Sequence, residues 1–468
     1  MPRVYRDAVA MIEPSTSSPT LYVQAKQVLR ARKIWIVPIL TASVFAALMA
    51  AAYFGSVINP TGHMRGLPVM IVEQDSGATV DGHQMNVGAS LTSSLEHTSA
   101  VSSRLKLMPA SLHQAQAEMD KGGAYATLVV PATLTRSALL AAGITTPGTT
   151  PPATAAVQLQ ENTRLGTLGV SLASGVITPA IAKISPQIGT HLSAVATTAS
   201  KANPVLDSRV KDPITLTSTT YRPLPDHSAL GLSAFYIALL ALIGGFVGAT
   251  LINSSVDSAL GYAPSQLGAR FSQRRPMPIN RTQTFLVKAA IATVAVPVLT
   301  GVVLLVTVGA LGMYAPQVIA LWGLLSLAAL MIGLGTLALL AIFGSIGQLL
   351  AVLLLVYLSL ASSGGTVPIQ ALPGFFRIVG HVEPLRNTLL GTRAILYFGA
   401  RGDAGLTTSL TVLACEVVFW TALGLAAALW YDRKGLDRIS PELIAHINRA
   451  VDDSRAQLSS GAELSSPR

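Results

Sequence analysis

Charge set among apolar residues is the first chemistry this chain offers. Glu416 stands near the middle of an apolar run from Leu406 to Trp430. An ionisable group inside a bilayer costs roughly 2.5–3.5 kcal/mol on insertion scales, so it faces a partner or a water-filled cavity. Its functional reading is a site for a substrate cation or a proton. The structural alternative is a protonated or arginine-paired carboxylate that pins two helices together. A proton relay asks for a second intramembrane acid, and the apolar runs contain none.

A second set of charges lies between Ser363 and Asp403. Gly364, Gly365, Pro368 and Pro373 interrupt a continuing helix. The pair Glu383 and Arg386 follows, then Arg393, with apolar residues at helical spacings from Pro373 to Tyr397. A short re-entrant or interfacial helix pair is expected, its arginines held by Glu383, by backbone carbonyls or by lipid phosphate. Glu383, Arg386, Arg393, Gly364, Gly365 and Pro368 are therefore candidates for an outer gate or a lipid-headgroup contact. Otherwise the segment is a scaffold cap that closes the bundle.

The basic stretch Gln266–Arg281 carries Arg270, Arg274, Arg275 and Arg281. It either anchors on anionic lipid or docks a partner protein. Asp75, Ser76 and Gly77 read as turn chemistry, the carboxylate bonding nearby backbone amides. The eight histidines are scattered, with no HExxH, and there is no GxSxG elbow and no GxxxxGK[ST] loop. No enzyme activity, metal or cofactor is expected of this chain, and ATP could act only through a separate ATPase subunit.

The elements that must position these residues are membrane helices. Mean hydropathy is +0.54, and charged residues make up 12% of the 468, about half the share of a soluble domain. One apolar run covers 34–58, and five more lie near 230–251, 289–311, 318–343, 349–362 and 406–430, each near the ~20 residues a spanning helix needs. Basic residues precede the first run and follow the second and the last, which places both termini in the cytoplasm. The net charge of +10 is then loop bias rather than a nucleic-acid surface. The single cysteine, Cys415, leaves the large polar stretch without an intrachain disulfide.

The expected organisation is a cytoplasmic tail with an interfacial helix (1–33), a first uncleaved span (34–58) and an extracytoplasmic α/β domain (59–226). A five-helix transmembrane domain (227–431) containing the re-entrant or interfacial segment 363–403 and a cytoplasmic tail (432–468) complete it. Strands are expected at Leu67–Val72, Tyr125–Val130 and Ala155–Leu159, and a surface loop at Ile144–Pro152. Apolar residues from Leu165 to Val195 recur every three or four positions, predicting a long amphipathic helix bent or broken at Pro179 and Pro186. The rival reading of that stretch as a seventh span would displace every later basic loop to the wrong side.

The segments LPVMIVEQDSGA (Leu67–Ala78) and KGGAYATLVVPATLT (Lys121–Thr135), with SSGGTVPIQALPGFFRIVGHVEPLRNTLLGTRAILYFG (Ser362–Gly399), resemble the phage-infection-protein (Pip/YhgE) group of the ABC type-2 transporter membrane-protein superfamily. The span order is similar too, although the chain lacks the extended coiled-coil insertion of the longer members. The resemblance implies a permease subunit of the inner (plasma) membrane of a bacterium. Such a subunit exports a hydrophobic or amphiphilic compound or an envelope component, works as a homodimer or heterodimer in the lipid bilayer, and is powered by a separate ATPase. A non-transporting envelope scaffold or secretion accessory and a proton-driven drug efflux transporter are the alternatives.

Overall fold

A computed structural model describes residues 32–80, 83–142, 154–195, 210–267, 270–272, 274–436, 438, 444–445 and 449. Residues 1–31 of the expected tail 1–33 and the Ile144–Pro152 loop lie outside the described residues, as does nearly all of the tail beyond 438. The chain divides into two compact units, Met1–Ala51 and Ala52–Arg468. The described part of the first is residues 32–51 of helix α1 (Arg32–Val57). Trp35, Ile36, Ile39, Leu40 and Val44 are all exposed on it, and a helix apolar all round is a membrane span or a core helix.

The second unit begins with a five-stranded sheet. Strand β1 (Leu67–Glu73) pairs in parallel with β4 (Leu105–Pro109) on one side and with β5 (Ala126–Val130) on the other. Strand β6 (Ala155–Glu161) runs antiparallel to β5, and β7 (Ile214–Thr220) closes the order β4-β1-β5-β6-β7. A small hairpin of β2 (Ala78–Val80) and β3 (His83–Met85) leaves the end of β1. Strand β1 is apolar at nearly every position, as a strand covered on both faces must be. Leu67, Val69 and Ile71 face one layer, while Met70 and Val72 face the other, the period of two that the pleat imposes.

The first layer holds α2 (Val87–His97), α4 (Leu134–Ala141) and α5 (Thr167–Val195); α3 (Leu112–Asp120) covers the second face through Ala115 and Met119. Asn86 caps α2, and Ser111 with Gln114 forms a capping box on α3, each satisfying amides that a helix start leaves open. Helix α5 does not break at Pro179 or Pro186. Its stripe of Leu172, Val176, Ile177, Ile181, Ile184, Ile188 and Leu192 is buried in the core of the sheet domain, and burial along the whole length outweighs the backbone bonds the prolines remove.

Five long helices follow: α6 (Ser233–Ala259), α7 (Arg281–Ala310), α8 (Val318–Phe343), α9 (Ser345–Ser362) and, last in the chain, α12 (Leu406–Arg433). Between α9 and α12 stand α10 (Gly374–Val379) and α11 (Pro384–Tyr397). Helix α8 is the centre of the bundle, buried around most of its circumference and packed against α6, α7, α11 and α12. Gly245 of α6 lies against the Ala329 backbone and Gly424 of α12 against the Phe285 ring, the close approach that small residues allow in a medium without a hydrophobic drive. Wide π turns end α7 at Leu305–Ala310 and interrupt α9 at Val352–Leu358.

Seven described helices are long and apolar enough to cross a membrane: α1, α5, α6, α7, α8, α9 and α12. That is one more than the six expected, and the addition is α5, the helix packed along the sheet.

Candidate functional site

The sheet domain and the helices meet on the segment 363–403. Helix α11 starts at Pro384, whose fixed φ suits the first helical position, and twelve of its fourteen residues are buried. It packs against α6, α8 and α12 and reaches the sheet domain through its last turn. Val367, Ala371, Leu372 and Phe376 join the sheet domain's own core, and the Arg65 amide donates to the Gln370 carbonyl at 2.9 Å. The segment is thus a wedge shared by two hydrophobic cores.

Each candidate side chain in it has a definite place. Gly364 adopts φ +70° and Gly365 lies against the Phe235 ring, so both glycines are needed where they stand. Pro368 sits near Gly169 at the start of α5. Arg393 is 7% exposed and donates from Nη2 to the Gly365 carbonyl at 3.3 Å, while its Nε has no partner. Arg386 Nη1 is likewise buried and unpartnered, and both guanidiniums lie within electrostatic reach of the buried Tyr125. Burial lowers the pKa of both arginines, the tyrosines opposing it. Arg377 donates from Nη2 to the carbonyls of His63, Gln370 and Leu372, and Arg401 pairs with exposed Asp403 at 2.7 Å.

Glu383 does not pair with Arg386, as the sequence suggested. Its carboxylate accepts the hydroxyl of buried Ser359 on α9 instead, because residue 383 precedes α11 and is turned toward α9. Burial pushes the Glu383 carboxyl up to about 7, against the hydrogen bond from Ser359. Glu416 of α12 is in Coulombic range of Glu383, and its Oε2 is buried without a partner. The second acid missing from the apolar runs is therefore supplied by the segment between α9 and α12.

Sequence reasoning missed Arg164, which fastens the two layers. It is 6% exposed, donates to the carbonyls of Tyr397 (3.1 Å) and Met119 (3.4 Å), and lies over the rings of Phe398 (4.9 Å) and Tyr221 (5.7 Å). Tyr397 in turn shares a 2.7 Å hydrogen bond with Ser233 at the start of α6. No local pattern around Asn162–Gly166 announces this role. Asp75 proves to be a structural pin. It accepts the amides of Gly88 (2.9 Å) and Thr135 (3.2 Å), which lie in the first turns of α2 and α4, and helix N-termini favour a carboxylate.

The candidate docking arginines divide. The side chain of Arg270 lies outside the described residues, and Arg274 and Arg275 are exposed. Arg281 is held within the chain: its Nε donates to the Leu436 carbonyl at 2.7 Å and its guanidinium lies over the Tyr431 ring at 4.8 Å. Asp432 accepts the amides of Arg281 and Thr282 at 3.0 and 2.9 Å, capping α7.

Residues 37–422 match the family described as protein of unknown function (DUF3533). A stretch of 89 residues is 30% identical to the uncharacterized protein YhgE of Bacillus subtilis (strain 168), covering 17% of this chain and 11% of that protein.

Proposed function

We propose a function for this chain, which belongs to the DUF3533 family of proteins of unknown function: it is the membrane permease subunit of a type-2 exporter. It moves a hydrophobic or amphiphilic compound or an envelope component, with ATP hydrolysis supplied by a separate chain. In this reading α1, α6, α7, α8, α9 and α12 are the six spans, and α5 belongs to the extracytoplasmic domain, whose core it fills. Both termini and the Gln266–Arg281 stretch face the cytoplasm of a bacterial cell. The arginines at 377, 386, 393 and 401 then stand on the outer side without violating charge bias, since they are folded into the wedge or paired rather than strung along a free loop.

The observation that carries the reading is the wedge itself. Helix α11 touches α6, α8 and α12 and is tied to the sheet domain by Arg164, so rearrangement of the bundle must move the outer domain with it. A transporter needs that linkage between its membrane path and its outer face, whereas a static scaffold does not. The test is efflux of an amphiphilic dye from cells expressing the protein. Export should stop on ATP depletion and survive a protonophore while ATP is maintained.

The opposite pattern favours a second reading, proton-driven efflux, for which the unpartnered Oε2 of Glu416 near Glu383 speaks. In that case Glu416→Gln should abolish efflux without lowering membrane abundance.

A further inference from the structure

Two arginines of the wedge face no carboxylate among the described residues. Arg386 and Arg393 stand seven residues apart on α11, nearly two turns, so one face of the helix carries both. Both act electrostatically on Tyr125, the residue before β5, and they act on each other. Arg393 is 7% exposed, its Nη2 donates to the Gly365 carbonyl at 3.3 Å, and its Nε has no partner. Arg386 Nη1 is also buried without a partner.

Glu383, three residues before Arg386, is turned away to Ser359 on α9. The other titratable groups acting on the two arginines are Tyr125 and Tyr397, phenols that burial keeps in the neutral form. The start of α5 adds positive potential at the same place. A Cβ on Gly166, the residue before α5, would come within 3.4 Å of Arg393 Nη2, and a helix start carries about half a positive charge. Buried cations short of an anion are costly. Unused guanidinium N–H groups beside a phenol match the oxygens of a phosphate, sulfate or carboxylate. The stretch leading into α11 exposes Phe375, Ile378 and Val382, an apolar flank suited to a hydrocarbon tail.

We propose that Arg386, Arg393 and the Tyr125 hydroxyl bind the acidic head group of an anionic amphiphile. In naming that amphiphile as the exported compound, the inference rests on the permease reading and narrows the cargo to anions.

The test uses the full-length protein in mild detergent and a dansyl-labelled undecanoic acid, with its methyl ester as the uncharged control. Fluorescence titration should show the acid bound about tenfold more tightly than the ester. Arg386→Gln removes a cation whose Nη1 lacks a protein partner, so the unfolding temperature should not fall. This variant should weaken the acid about tenfold and leave the ester unchanged. Tyr125→Phe keeps the ring and should weaken the acid about threefold. Equal affinity for acid and ester overturns the proposal, as does a preference that both variants leave intact. Export from cells separates the site from the permease reading. Selective export of the acid, reduced by Arg386→Gln, supports the acid as cargo. ATP-dependent export of an uncharged dye without selective binding of the acid overturns the site and leaves the permease. Selective binding without any export overturns the cargo and leaves a resident anionic lipid as the occupant.

Discussion

Replacing Arg164 by Met keeps most of the apolar stem and removes the guanidinium that joins the sheet domain to α11. The charged hydrogen bond to the Tyr397 carbonyl is worth about 1.5–3 kcal/mol. The two aromatic contacts at 4.9 and 5.7 Å add roughly 0.5–2 kcal/mol each when desolvated. Against these stands relief of the cost of burying the cation, for burial holds Arg164 below the usual arginine range. The balance is a loss of about 2–4 kcal/mol, and it is felt at the junction because Arg164 ties Met119, Asp120 and Tyr221 of the sheet domain to Tyr397, the last residue of α11, and to Phe398 just after it. Hydrogen–deuterium exchange in nanodiscs should therefore speed up over Pro384–Tyr397 by about two powers of ten. Exchange in β1 and the middle of α8, which Arg164 does not touch, should hold. Unchanged protection of α11 in a folded Arg164→Met protein would refute the latch, and with it the mechanical link between outer domain and bundle.

Other perturbations give separate checks. Asp75→Asn weakens the pin on the starts of α2 and α4 and should cost about 2 kcal/mol, read as a lower unfolding temperature with membrane insertion unaffected. Glu383 has a folded pKa raised to about 7 from an ordinary 4.5, so the folded state holds the proton more tightly than the unfolded one. Stability from this group is fully present below pH 4.5 and falls by about 3 kcal/mol as pH rises through 7. Glu383→Gln should flatten that slope in unfolding measured from pH 5 to 8, and a slope identical to the parent's would show the carboxyl to be solvated. Gly245→Leu drives a side chain into the Ala329 backbone and should separate α6 from α8, costing about 3 kcal/mol or more; normal thermal stability in that variant would contradict the packing.

The long helices were legible because each is a continuous apolar run, and Val318–Phe343 is bounded in the structure as the sequence suggested. Strands β1 and β5 were legible for the same reason, and β6 through the alternation of AAVQLQE, buried at every second position. Strand β7 was not: ITLTSTT is polar and exposed toward its end, an edge with little apolar signal to read. Strand β4, LKLMP, is short and half-exposed. Helix α5 carries two meanings at once, since the stripe that buries it on the sheet also makes it apolar enough to span a bilayer.

Of the candidate sites, Glu416 and the glycine turn could be found from position alone. The partners could not, because they come from far along the chain: Ser359 to Glu383, Arg164 to Tyr397, and Asp257 to Lys288 and Arg438. Asp257 and Lys288 read as loop charges until folding brings them together. The association of Arg281 with Asp432 and Leu436 depends on the ends of α7 and α12 meeting, which no local pattern encodes.

The most direct measurement is affinity purification of the full chain from native membranes in mild detergent, with mass spectrometry of what stays bound. The expected result is a stoichiometric ATPase subunit that is lost when exposed Arg274 and Arg275 are both changed to Glu. Recovery of the protein without an ATPase, in the company of secretion or envelope proteins, would contradict the permease reading and leave a scaffold in its place.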